Sequence, residues 1–99
     1  MKKVLEQRLR ESRRLVILQL LNAMDARRLS ESLLASALRD MGMEAPADVL
    51  KGELAWLERA ALVSLEETPI GQTVTITARG DEHARGVVVE PGVARPELG

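Results

Sequence analysis

Apolar residues change their spacing once along this 99-residue chain, and that change limits what it can fold into. Up to Ala61 they recur three or four residues apart, the period of helices that bury one stripe. From Leu62 they alternate, with Val63 and Leu65 set against Ser64 and Glu66, then Val74 and Ile76 against Thr73, Thr75 and Thr77. Alternation is the strand period, because successive side chains leave a strand on opposite faces. Helices come first and an antiparallel hairpin follows, so the expected class is mainly α with a small β-hairpin.

The first helix is expected from Lys2 to about Asp25, where nothing breaks the pattern. Leu5, Leu9, Val16, Leu20 and Met24 recur near helical spacing. Its first half is charged, whereas Leu15, Val16, Ile17, Leu18, Leu20 and Leu21 make the second half apolar on nearly all sides. Only the second half must therefore be deeply buried, and the first half reads as an arm.

After a connector over Ala26–Leu29, Ser30 stands where an N-cap hydroxyl can accept from unpaired helical amides. The second helix shows an apolar face of Leu33, Leu34, Ala37, Leu38 and Met41, and Gly42 supplies a left-handed stop. Pro46 suits the first position of a third helix, lined by Leu50, Leu54, Leu57 and Ala61. Gly52 inside that helix marks either a close approach by something or a tolerated defect.

Pro69 and Gly71 separate the two strands, and the pattern implies a connection longer than a two-residue turn. Thr77 can cap a brief helix through Arg85. Beyond it, Gly86, Pro91, Gly92 and Pro96 suggest an extended C-terminal tail. The expected division is a domain over residues 1–86 with an N-terminal helical arm, and a tail over 87–99.

Composition restricts the core and the chemistry. The chain is 45% hydrophobic with no Phe or Tyr and one Trp, so Leu, Val, Ile, Ala and Met must fill one core. It contains no cysteine and a single histidine, which excludes disulfides and a histidine-rich metal site within one chain. The reducing cytoplasm is the expected compartment. The apolar run Leu15–Met24 falls far short of the ~20 residues that span a bilayer, and no small-residue cleavage site follows it.

Net charge is −1, yet it is unevenly spread: residues 1–28 carry eight Lys or Arg against Glu6, Glu11 and Asp25. The rest carries six basic and twelve acidic residues. A basic helix joined to an acidic body steers either an anionic partner or a second copy of the chain.

Helix, connector, helix, turn, helix, hairpin is the layout of a winged helix-turn-helix, with Arg28 and Leu29 available as its short first strand. The run Leu50-Lys51-Gly52-Glu53-Leu54-Ala55-Trp56-Leu57-Glu58-Arg59-Ala60-Ala61-Leu62-Val63 resembles the recognition-helix-to-wing segment of MarR-type and ArsR-type regulators. Ile76-Thr77-Ala78-Arg79-Gly80 resembles the step leaving the wing there, with Ile76 in place of leucine. The tail, Ala84-Arg85-Gly86 then Pro91-Gly92-Val93 and Arg95-Pro96, is similar to that of small winged-helix proteins of Mu-like prophages.

This resemblance implies double-stranded DNA as partner, read by the third helix in the major groove, with a homodimer and a role in transcription regulation. On the third helix it points to Ala47, Asp48, Lys51 and Arg59, while Arg13, Arg14, Arg27, Arg28 and Arg39 are the cations available for phosphates. The fit is poor at the wing, whose Glu66 and Glu67 have no Lys or Arg beside them and would repel phosphates. The alternative is a protein-interaction or assembly module that binds no DNA. Val4, Leu5 and Leu9 on the first helix and Trp56 are the interface candidates.

No catalytic set emerges, and no cofactor motif. Asp81, Glu82 and His83 are adjacent, but consecutive helical residues point in different directions, so a solvent-facing turn is expected.

Overall fold

The first helix ends at Met24, whose φ of −82° and ψ of 139° are extended backbone, so α1 spans Lys2–Ala23. The structure is a computed structural model and describes residues 1–97. After α1 come β1 (Arg28–Ser30), α2 (Glu31–Asp40), α3 (Ala47–Arg59), β2 (Val63–Thr68), β3 (Gly71–Ile76) and α4 (Ala78–Ala84). The fold is a small α+β domain: four helices and one antiparallel three-stranded sheet among the described residues.

Helix ends follow from local chemistry. Ser30 Oγ accepts from the Leu33 amide at 3.2 Å and Thr77 Oγ1 from the Gly80 amide at 3.1 Å, so α2 and α4 start where the hydroxyls stand. Both α2 and α3 end in the same paired bonds. The Met43 amide reaches the Leu38 carbonyl (2.8 Å) and Gly42 reaches Arg39 (3.0 Å). Likewise Leu62 reaches Leu57 (2.9 Å) and Ala61 reaches Glu58 (2.9 Å). Such a pair needs a left-handed residue, supplied by Gly42 at φ 73° and by Ala61 at φ 64°.

The sheet order is β1-β3-β2, and β2 pairs with β3 from Val63↔Ile76 out to Thr68↔Gly71. Pairing runs two residues further than the apolar alternation reveals, through Glu67↔Gln72, so Pro69 and Ile70 alone connect the strands. The long connection expected from sequence is thus a two-residue turn. Polar pairs at its tip keep the ladder without an apolar signal.

Ile17, Leu18 and Leu21 of α1, Leu34 and Leu38 of α2, and Leu50, Leu54 and Leu57 of α3 close the core over Val63, Val74 and Ile76. Leu33 and Met41, assigned to the buried face of α2 by spacing, are instead 60% and 54% exposed. One buried residue per turn, Leu34 and then Leu38, suffices to pack this short helix, and its flanks stay wet.

The residues after Gly86 do not extend away. Gly86 and Gly92 have φ of 81° and 93°, and these left-handed positions turn the chain back onto the body. Val93 is 6% exposed within the core cluster, and the Ala94 amide donates to the Glu11 carbonyl of α1 at 3.1 Å. His83 is not solvent-facing either, being fully buried beneath this returning segment. Its Nδ1 accepts from the Glu90 amide at 3.1 Å, so the ring proton lies on Nε2, which donates to the Ala94 carbonyl at 2.9 Å. Gly86 and Gly92, read as keeping the tail extended, are what fold it.

Candidate functional site

The α2–turn–α3 pair and the hairpin enclose an open cleft of about 580 Å³. The Ser30 cap fixes where α2 begins, and Gly42 turns the chain out of it. Pro46, the N-cap residue and not the first helical one expected, leads into α3 at Ala47, so Glu31, Arg39, Glu44 and Lys51 converge on the cleft. Glu67 and Gln72 reach it from the hairpin. Both cations are engaged: Lys51 Nζ lies 3.2 Å from Glu31, and Arg39 Nε lies 3.6 Å from Glu44. Glu67 accepts only the Gln72 side-chain amide among the described residues, at 3.3 Å. The cleft thus holds three carboxylates against two cations.

Among the groove-reading candidates, Ala47, Asp48, Lys51 and Arg59 are all exposed on α3. The phosphate candidates scatter. Arg13 and Arg14 are only 7% exposed and face α3, where Arg13 Nη1 stands 3.5 Å and Arg14 Nη2 3.1 Å from Glu53. Arg14 also donates to the Gly92 carbonyl at 2.9 Å and stacks 4.0 Å over the Trp56 ring. Burial removes both arginines from the surface on which a phosphate would be met. Trp56 is half-buried by Arg14 and the returning tail, so packing within the chain occupies it.

Arg27 is 2.7 Å from Asp81, which also accepts from Asn22 and, at 3.0 Å, from Arg85. The Arg85 hydrogen bond, helped by Asn22 and the Arg27 charge and opposed by partial desolvation, holds the Asp81 carboxyl below its ordinary range. Arg28 and Arg59 are exposed and have no ion-pair partner among the described residues. The nine candidates therefore do not form one basic face.

The amino-terminal half of α1 leaves the body altogether. Residues 1–9 are all exposed, with Val4, Leu5 and Leu9 at 53%, 60% and 55%. A helix turn brings Leu5 and Leu9 to one face, with Lys2 and Arg8 each three residues from Leu5 on its flanks. From Lys2 to Arg10 the arm carries four cations and one acid, Glu6.

Sequence reading assigned no role to one buried polar residue, Glu53, and placed another, His83, on a solvent-facing turn. Glu53 lies three residues after Leu50 and four before Leu57, on the buried stripe of α3, so its burial was legible in spacing. Its partners were not, because they lie 39 and 40 residues away. Gly52, beside it, faces open space, so no close approach within the chain accounts for that glycine. His83 carried no spacing signal, since only the returning tail buries it.

Among the described residues no cluster of His, Cys, Asp and Glu is arranged to hold a metal ion, and no helix is long and apolar enough to cross a membrane. No family model matches the chain, and no solved structure matches it significantly. It is 39% identical over 89 residues to a protein of Escherichia phage Mu described as "Uncharacterized protein gp26", covering 89% of this chain and 91% of that one.

Proposed function

The chain belongs to the family of the phage Mu protein gp26, and from that premise we propose that it is a winged helix used as a protein-interaction and assembly module. The element order supports the winged-helix reading: α2, turn and α3 form the helix-turn-helix, the β2–β3 hairpin forms the wing, and β1 is the short first strand. A cysteine-free chain of this kind suits the reducing cytoplasm.

One observation carries the choice of partner. The face that a DNA-reading winged helix would set against the duplex has three carboxylates in its cleft, and both cations there are already paired. Duplex affinity rests on neutralising phosphates, and this face has no surplus positive charge for it. Exposed Leu33, Ile70 and Val49 on α2, the wing tip and α3 favour a protein surface instead.

A second reading, a DNA-binding transcription regulator, is favoured by Arg28 and Arg59, exposed without ion-pair partners among the described residues, and by exposed Ala47, Asp48 and Lys51 at the start of α3. Titration with duplex DNA at about 50 mM and 200 mM salt separates the two. The assembly reading expects no saturable binding at the lower salt. Binding that weakens steeply between the two conditions overturns it in favour of regulation.

A further inference from the structure

The exposed arm and the cleft are opposite in net charge: the arm is positive, and in the cleft Glu67 is left without an ion-pair partner among the described residues, while Glu31 and Glu44 are paired with Lys51 and Arg39. The arm offers Leu5 and Leu9 on one face with Lys2 and Arg8 beside them. The cleft offers the carboxylates of Glu31, Glu44 and Glu67, a floor that includes Ala35 and Leu50, and space of about 580 Å³.

We propose that the amino-terminal arm of one copy docks in the α2–α3–hairpin cleft of a second copy. This rests on the assembly reading and names its partner. Two other placements are disfavoured by charge. Arm against arm would set a surplus of three cations against another three, four Lys and Arg less Glu6 on each. Arm against nucleic acid would leave the carboxylates of the cleft beside the phosphates whenever the body follows the arm.

Area then selects the symmetry. The arm rises ~15 Å over ten residues at 1.5 Å each. One face of so short a helix covers less than the ~800 Å² per partner of a typical stable interface. Reciprocal exchange, each arm in the other copy's cleft, doubles the buried area and closes the assembly as a twofold dimer. Arm lysines and arginines then meet Glu44 and Glu67, and Leu5 and Leu9 cover the apolar floor.

Charge reversal in solution tests this, because all four positions are surface residues whose exchange leaves the core intact. Light scattering after size exclusion should give a dimer mass for the full chain at low salt, with dissociation as salt rises. The arm variant Lys2→Glu/Arg8→Glu and the cleft variant Glu44→Lys/Glu67→Lys should each run as monomers. Mixed, they should form a heterodimer, since the acidic arm of one meets the basic cleft of the other and the basic arm meets the acidic cleft. A monomeric native chain, variants that dimerise as well as the native chain, or a mixture that stays monomeric would each overturn the proposal. Duplex binding would remove the assembly reading as well, whereas a monomer that ignores duplex removes the exchange alone.

Discussion

Glu53 shows how one residue can link three parts of this molecule. It sits 4% exposed between Arg13 and Arg14 of α1, and Arg14 passes the connection on to Trp56 and the Gly92 carbonyl. Two buried guanidiniums share one carboxylate, and Arg13 Nε and Glu53 Oε2 have no hydrogen-bond partner of their own. Desolvation offsets much of the attraction in such a group, so its net contribution is small while its loss is expensive. Replacing Glu53 by Gln keeps the volume and leaves two buried cations uncompensated, which should cost about 3–5 kcal/mol in urea denaturation. A loss under about 1 kcal/mol would mean that the arginines reach water instead. Asp81 behaves differently because its partners are partly exposed. Its folded-state pKa is below the ordinary 3.8, so its contribution is present in full above that value and is lost as pH falls through the lower one. Asp81→Asn should therefore lower Tm at pH 7, and the gap from the native chain should narrow on acidification below 3.8; a gap independent of pH would contradict the assignment.

Among the elements, identical geometry left unequal traces in the sequence. The same closing bonds end α2 and α3, yet Gly42 announced its stop and Ala61 did not. Alanine in the left-handed region carries a steric penalty of roughly 1–2 kcal/mol that glycine escapes, partly offset by the freedom glycine loses on folding. Ala61→Gly should thus stabilise the chain by up to about 1 kcal/mol, whereas Gly42→Ala should destabilise it by a similar amount. For a domain of this size a change of 1 kcal/mol moves Tm by roughly 4–8 °C, so calorimetry resolves both signs. A fall in Tm for Ala61→Gly would show that the end of α3 is held by packing alone. The hairpin teaches the same lesson, since Glu67↔Gln72 and Thr68↔Gly71 pair through backbone bonds that leave no apolar alternation to read. Helix order, the Ser30 and Thr77 caps, the burial of the second half of α1 and the Leu50, Leu54 and Leu57 stripe of α3 were legible because each has a local cause. The spaced set Leu5, Leu9, Val16, Leu20 and Met24, by contrast, is not the buried face of α1, and Ala61 lies exposed beyond the end of α3. Which arginines are engaged in ion pairs was not legible, because Glu53, Asp81 and Glu44 reach them across element boundaries.

At the scale of the whole molecule, the segment after Gly86 decides whether the domain is closed. Spacing suggested an appendage, and a chain cut there should then keep its full stability. The structure makes the segment a third layer over α1 and α3, through Val93 in the core, the Ala94 bond to Glu11, the Arg14 bond to Gly92, and His83 held between Glu90 and Ala94. Two effects compete when it is removed. Water reaching Arg13, Arg14 and Glu53 relieves part of their desolvation, while Val93 loses a burial worth about 1.5–3 kcal/mol and the four hydrogen bonds of Ala94 to Glu11, Arg14 to Gly92 and His83 to Glu90 and Ala94 go, at ~0.5–1.5 kcal/mol each. The losses are the larger, so truncation after Arg85 should lower stability by about 3–5 kcal/mol, within the ~5–15 kcal/mol of an ordinary domain. Trp56 is the sole tryptophan and gives a local readout. A Cβ at Gly92 would stand 2.5 Å from Trp56 Cζ2, in a backbone conformation of φ +93° that alanine resists, so Gly92→Ala should lift the tail from the ring without deleting it. Both variants should shift Trp56 emission to the red and expose it to aqueous quenchers, with Gly92→Ala losing less stability because Val93 can still find its place. Native-like emission from either variant would mean that the tail does not cover Trp56, and the molecule would then end at α4 as its spacing suggested.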